Sequence, residues 1–360
     1  MHRCLTFVAV LAITSVVTGC KTTTDKSTVL DHPTVDSPST ATSLSSVTPG
    51  ADVLFAANAT QASGSFDVPT ATFSFQYVLS GAPDEGYRWI ELVEPDGNRL
   101  IENGVQRDIP NPPGGVVGNT LAVIVPNKPN YKVKPGRWTF KVERAGLPEA
   151  LQRPSTVKAA LVTKEAPNKV TAAKLRVHYW FFDGDAITAE NAASNPEFAK
   201  ITGTFVAAYA AAGIGIVPSY GRLPASLNIA YSFENLGKLV ESVPRDDDAI
   251  NVVFGKMIPI LSVVAGLSTH LPGPVKVRGA SGIILMNGAG RVDTPQARGL
   301  VLAHEVGHYL GLQHTDVDTL DDTENSPTNL MYPDTVTPWA KFSEQQTQLL
   351  LYNPIIEFVP

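Results

Sequence analysis

The chain has 360 residues, enough for one or two domains around a buried core. A hydrophobic fraction of 43% and a charged fraction of 17% exclude a disordered or fibrous class. The net charge of −6 gives no footing for nucleic acid or for a polybasic membrane surface.

His2 and Arg3 open the chain as a short positive segment, and residues 5–17 are apolar but too short to span a bilayer. Val17-Thr18-Gly19-Cys20 then resembles a bacterial lipobox. That resemblance implies a signal peptide over residues 1–19, cleavage before Cys20, and acylation of its sulfur and amino group with palmitate-like chains. More than one acyl chain gives stable anchoring. The alternative is an ordinary secretory signal cleaved near Gly19. Lys21 after Cys20, rather than aspartate, resembles the outer-membrane sorting choice of enteric bacteria. We therefore expect a protein lipid-anchored in the bacterial cell envelope, at the outer membrane. Only Cys4 and Cys20 are present, so the mature protein would hold neither a disulfide nor a free thiol. Residues 20–50 are rich in Ser, Thr, Asp, Pro and Val without a period, and are expected to be a disordered tether.

From 51 to 165 the pattern is β. Apolar residues alternate at Ala71, Phe73, Phe75, Tyr77 and Leu79, and again at Leu121, Val123 and Val125. Tyr87 to Glu94 reads as a strand closed by Pro95-Asp96-Gly97. Trp138, Phe140 and Val142 follow the turn Lys134-Pro135-Gly136, and Val157, Ala159 and Leu161 close the set. The pattern predicts a β-sandwich accessory domain. It resembles the small β-sandwich modules that accompany many secreted bacterial peptidases. Trp89 and Trp138 are read as core, with a carbohydrate-binding face as the alternative.

Ala166-Pro167-Asn168 marks a boundary, and residues 170–360 form the second predicted domain. Leu175, Val177, Tyr179 and Phe181 alternate as a strand. A helix follows, with Ser194 as its cap, Pro196 in its first turn and Gly213 at its stop. Phe198, Ile201, Phe205, Tyr209 and Ala212 lie on its apolar face. Strands are predicted at 214–218, 250–254 and 281–287, and a last helix at 342–351 capped by Ser343. The fold class is α+β. An edge strand is expected at 261–270, with 275–278 competing for that place.

The richest chemistry lies at His304-Glu305-Val306-Gly307-His308-Tyr309-Leu310-Gly311-Leu312-Gln313-His314. Residues 295–310 are predicted helical, with Thr294 capping and Pro295 in the first position. His304 and His308, four apart, present two imidazoles on one face. Gly311 lets the backbone turn, and His314 returns as a third ligand. Three nitrogens and an open position predict a catalytic zinc, one per chain, with Glu305 as general base beside it.

These residues resemble the metzincin metallopeptidases, whose pattern adds a methionine turn downstream. Asn329-Leu330-Met331-Tyr332-Pro333 fits that place, and the wording looks most like matrixins. A weaker likeness through Asp321-Asp322-Thr323 is to pappalysin-type members. The resemblance implies that Met331 lies beneath the zinc ligands, and that the order of strands and helices is a metzincin one. It covers about the last half of the chain, and no cysteine-switch propeptide accompanies it. Tyr332 directly follows the methionine and is given no catalytic role. His178 and His270 lack ligand spacing and are read as structural or surface residues. Asp316, Asp318, Asp321, Asp322 and Glu324 form an acidic loop that can bind Ca²⁺, with a solvated loop as the alternative.

The expected function is hydrolysis of a protein or peptide substrate by a zinc endopeptidase. The expected partners are that substrate and the membrane that holds the lipid anchor, with no nucleic acid, for a monomer. The alternatives are a zinc hydrolase of a non-peptide amide, and an envelope adhesion or binding lipoprotein with an inert zinc domain.

Overall fold

Period-2 alternation turns into strands along most of the chain, and three segments of helical spacing turn into helices. The structure, a computed structural model, describes residues 45–82, 85–106, 114–115, 119–146, 148–166, 172–227, 239–244, 246–256, 265–277, 281–287, 294–318, 320–334 and 337–359. Cys20, the signal segment, most of the expected tether and residues 167–171 at the expected boundary lie outside the described residues. The architecture is α+β, mostly sheet with few helices. No helix among the described residues is long and apolar enough to cross a membrane.

The first half contributes β1 (Ser45–Pro49), β2 (Val53–Phe55), β3 (Gln61–Val68), β4 (Thr72–Ser80), β5 (Glu85–Val93), β6 (Arg99–Glu102), β7 (Val105–Gln106), β8 (Gly114–Gly115), β9 (Thr120–Val125), β10 (Gly136–Gly146) and β11 (Ser155–Glu165). One sheet has the order β1-β11-β4-β9, with β2 also on β11, and another has the order β3-β10-β5-β6-β7. Phe66, Trp138 and Phe140 of one sheet share an apolar cluster with Phe75, Tyr77 and Leu121 of the other. Trp89 and Trp138 are buried in that cluster, so neither offers an exposed aromatic face. Their indole N–H groups donate to Ala122 O and Lys134 O, as buried indoles require.

Ser45–Pro49, which composition assigns to the tether, is instead a strand on the edge of β11. Its hold is backbone pairing, aided by Ser46 Oγ at 2.8 Å from Thr163 Oγ1. Polar composition carries no signal for such an edge.

The second half adds β12 (Ala172–Phe182), α1 (Pro196–Ala211), β13 (Ile214–Leu223), β14 (Ile250–Lys256), β15 (Gly266–Ser268), β16 (His270–Leu271), β17 (Ile283–Asn287), α2 (Pro295–Tyr309), α3 (Glu344–Tyr352) and β18 (Glu357–Val359). The strand order is β13-β12-β14-β17-β15, and β18 also pairs with β12. β12, β13, β14 and β17 run parallel, while β15 runs antiparallel on β17 at the edge. β12 buries Tyr179 and Phe181 on one face and Trp180 and Phe182 on the other. α1 is capped by Asn195, not Ser194, because the Asn195 carboxamide accepts from both Glu197 N and Phe198 N. Ser194 ends a preceding 3-10 turn. α3 has the expected Ser343 cap, completed by Gln346 as a capping box.

The expected edge strand shrinks to Gly266–Ser268 and His270–Leu271; residues 257–264 lie outside the described residues. The competing stretch at 275–277 forms no strand. Val275 N and Lys276 N donate to Gln76 Oε1 and Asp247 O instead of to a ladder, and Lys276, at φ +57°, leaves the extended region. α1 and α2 pack together, with Arg298 paired to Glu197 and Tyr209 donating to Ala303 O at 3.2 Å.

Candidate metal centre

α2 begins as its sequence predicts: Thr294 Oγ1 accepts from Ala297 N at 3.2 Å, with Pro295 in the first turn. It buries Leu300, Leu302, Ala303 and Val306 against the core and leaves His304, Glu305 and His308 only partly buried. The helix closes at Leu310. Gly311 N bonds His308 O and Leu312 N bonds Gly307 O, both at 2.9 Å, with Gly311 at φ +109°. This pair of bonds around a left-handed residue is a Schellman close, which favours glycine. The chain then doubles back and brings His314 to the other two histidines.

His304 Nε2 and His308 Nε2 lie 3.1 and 3.0 Å from His314 Nε2. The three side chains are a group able to hold a metal ion. Their other ring nitrogens test the fit. His304 Nδ1 meets Leu330 O at 2.8 Å, and His308 Nδ1 meets Leu312 O at 2.7 Å. A carbonyl only accepts, so both Nδ1 atoms carry the proton and both Nε2 atoms present bare lone pairs. His314 Nε2 has at most one proton for the two of them, so the cluster is short of positive charge at its centre. Burial pushes His304 down to about 4, and the neighbouring His314 adds to this. Burial drives His308 well below the imidazole range and lowers His314 as well. All three are thus neutral near pH 7, the form that binds metal. Tetrahedral nitrogens about 2.0–2.1 Å from zinc stand roughly 3.3 Å apart, close to the spacing found. The residues fit zinc.

Glu305 lies beside this group. Its Oε2 accepts Ser268 N, on edge strand β15, at 2.7 Å. Burial raises its carboxyl to about 7, and the Ser268 bond opposes that rise. Met331 is fully buried, and a Cβ placed on Gly307 would lie 2.6 Å from its Sδ. The methionine therefore packs against the helix between the two ligand turns. Asn329 Oδ1 holds the turn by accepting Met331 N at 2.8 Å, and Thr315 N bonds Met331 O at 3.0 Å.

Of the other predicted candidates, His178 lies on β12 with Nδ1 2.9 Å from Ser219 Oγ, and His270 is buried with Nδ1 3.0 Å from Thr269 Oγ1. Neither belongs to the metal group. Asp318 and Asp322, in the loop weighed for calcium, accept from the start of α3 and its cap: Gln346 Nε2 reaches Asp318, and Ser343 Oγ and Gln345 N reach Asp322. Negative charge at a helix N-terminus is favourable. Sequence reasoning missed Ser268, Leu312 and Leu330, because all three act through backbone atoms and leave no side-chain signature.

No protein-family model matches this chain, and no curated protein matches it. Among solved structures, the chain is similar to metalloproteinase-II from Bacteroides fragilis at 13% identity and a TM-score of 0.35. That match covers 54% of this chain and 62% of the other, less than two thirds of its length. A chaperone-substrate complex matches at 12% identity and a TM-score of 0.30, over 51% of this chain and 36% of the other. At these scores neither likeness bears on the fold or the activity.

Proposed function

We propose that this chain is a zinc-dependent endopeptidase of metzincin type, carried on a lipoprotein. The observation that supports it is the convergence of three neutral imidazoles beside a carboxylate held by an edge strand. His304, His308 and His314 would hold one zinc through Nε2, with Leu330 O and Leu312 O fixing two of the rings. When bound, zinc supplies Lewis acidity and lowers the pKa of water. Ser268 N fixes Glu305 Oε2, which leaves Oε1 to take a proton from the attacking water and pass it to the leaving amine. A carboxyl raised toward neutrality suits both transfers. β15 is the last strand of its sheet among the described residues, where an extended peptide can pair across the site. Met331 serves as the floor beneath the ligands.

On this reading residues 51–165 are a β-sandwich accessory domain and residues 170–360 the peptidase domain. Cys20 carries the lipid anchor at the outer membrane, and the protein acts as a monomer. The test pairs zinc content with cleavage of a peptide library. Zinc with cleavage supports the peptidase. Zinc without cleavage favours another amide, and no zinc favours a binding module.

A further inference from the structure

Strands β11, β4 and β9 are neighbours in the first sheet, in that order. Ile124 on β9 stands opposite Gln76 on β4, and Gln76 stands opposite Val162 on β11. Directly opposed residues share a face. It is not the face that forms the first half's own core, which takes the alternating residues Val123, Tyr77 and Leu161. Val162 belongs instead to the core of the second half. The sheet is therefore covered on both sides.

Each of the three strands reaches the turn 309–311, which separates the second histidine from the third. Ile124 lies over it directly, with Cγ2 3.3 Å from where a Cβ on Gly311 would stand. Gln76 acts through one segment. Its Nε2 donates to Gly273 O at 2.8 Å and its Oε1 accepts Val275 N at 2.9 Å. Gly273 N in turn bonds Tyr309 O at 2.8 Å, and Tyr309 OH bonds Pro274 O at 2.8 Å. Lys164 on β11 acts through Asn353. Its Nζ donates to Leu351 O at 2.7 Å and Asn353 O at 3.2 Å, and Asn353 Nδ2 donates to Leu310 O at 3.2 Å.

We propose that this face of the first sheet is a positioning surface for the metal centre: it fixes the turn that delivers His314 to His304 and His308. The inference rests on reading the three histidines as a metal site. Ile124 and Gln76 are positioning residues: both act on the turn and the segment beside it. The turn has a Schellman close of its own, but that close fixes only its local conformation. Where the exiting strand of chain points is set by what covers the turn, and the first sheet covers it.

The test measures zinc affinity by competition with a chromophoric chelator, and the visible spectrum of the Co²⁺ form, on the full chain. Ile124→Ala and Gln76→Ala should fold, yet raise the zinc dissociation constant about tenfold, the low end of what losing a group bonded directly to a ligand costs. Their Co²⁺ spectra should change. Ile124→Val should recover most of the affinity. Val123→Ala, on the opposite face of the same strand, should lower the melting temperature but leave zinc affinity unchanged. If Ile124→Ala does not fold, Gln76→Ala carries the comparison, with Val123→Ala as its control. Wild-type affinity in folded Ile124→Ala and Gln76→Ala overturns the inference alone. A wild-type protein that binds no zinc overturns the metal-site reading, and this inference with it.

Discussion

Ser268 N and Glu305 Oε2 lie 2.7 Å apart, so the edge strand and the ligand helix meet at one carboxylate. The bond favours the ionised form, but burial outweighs it and leaves the carboxyl raised from 4.5 to about 7. A raised carboxyl binds a proton in the folded state that the unfolded state has released. Its contribution is full below pH 4.5 and is lost as pH rises through about 7. In metal-free protein, the stability of wild type minus that of Glu305→Gln should therefore fall as pH rises across that window. Urea melts at stepped pH check this. A difference that grows with pH would contradict it.

Gly307 is the position where the helix lets Met331 approach. Gly307→Ala gains about 1 kcal/mol in helix propensity. It also drives a methyl into Met331 Sδ, which is buried and has little room to move. Overpacking of this kind costs about 1–3 kcal/mol, so the net effect should be destabilising or neutral. The second change Met331→Ala should make the pair less costly than the sum of its parts. Thermal melts of both single variants and the double variant test the coupling, and strict additivity would argue against the contact.

Cys20 lies in the lipobox-like segment, and its thiol is the atom that a thioether would use. Cys20→Ser should abolish labelling by a fatty acid and leave the protein uncleaved or soluble. Equal label on wild type and variant would remove the anchor from the account.

The ligand helix was legible from residue spacing and capping alone: Thr294, Pro295 and Gly311 act as their chemistry predicts. The strands were legible where one face is apolar, as in Trp138, Phe140 and Val142. What stayed hidden is the second buried face of the first sheet. Ser74 and Gln76 alternate with Phe73, Phe75 and Tyr77, so they read as solvent-facing. Both are 0% exposed. Their partners are backbone groups at Tyr352, Gly273 and Val275, far along the chain, and no local pattern announces such partners. Lys164 is hidden the same way, since a lysine is ordinarily a surface residue. The cap at Asn195 rather than Ser194 was missed because adjacent polar residues compete for the same role.

The most direct measurement is zinc stoichiometry beside cleavage of an unstructured protein, for wild type, Glu305→Ala and His308→Ala. Glu305 adjoins His304 in the chain without belonging to the three-histidine group able to hold a metal. Glu305→Ala should keep one zinc and lose roughly 10²–10⁴ or more in rate, because the proton acceptor is gone while three imidazoles remain. His308→Ala should lose both metal affinity and activity. Cleavage by zinc-loaded Glu305→Ala at the wild-type rate would contradict the account.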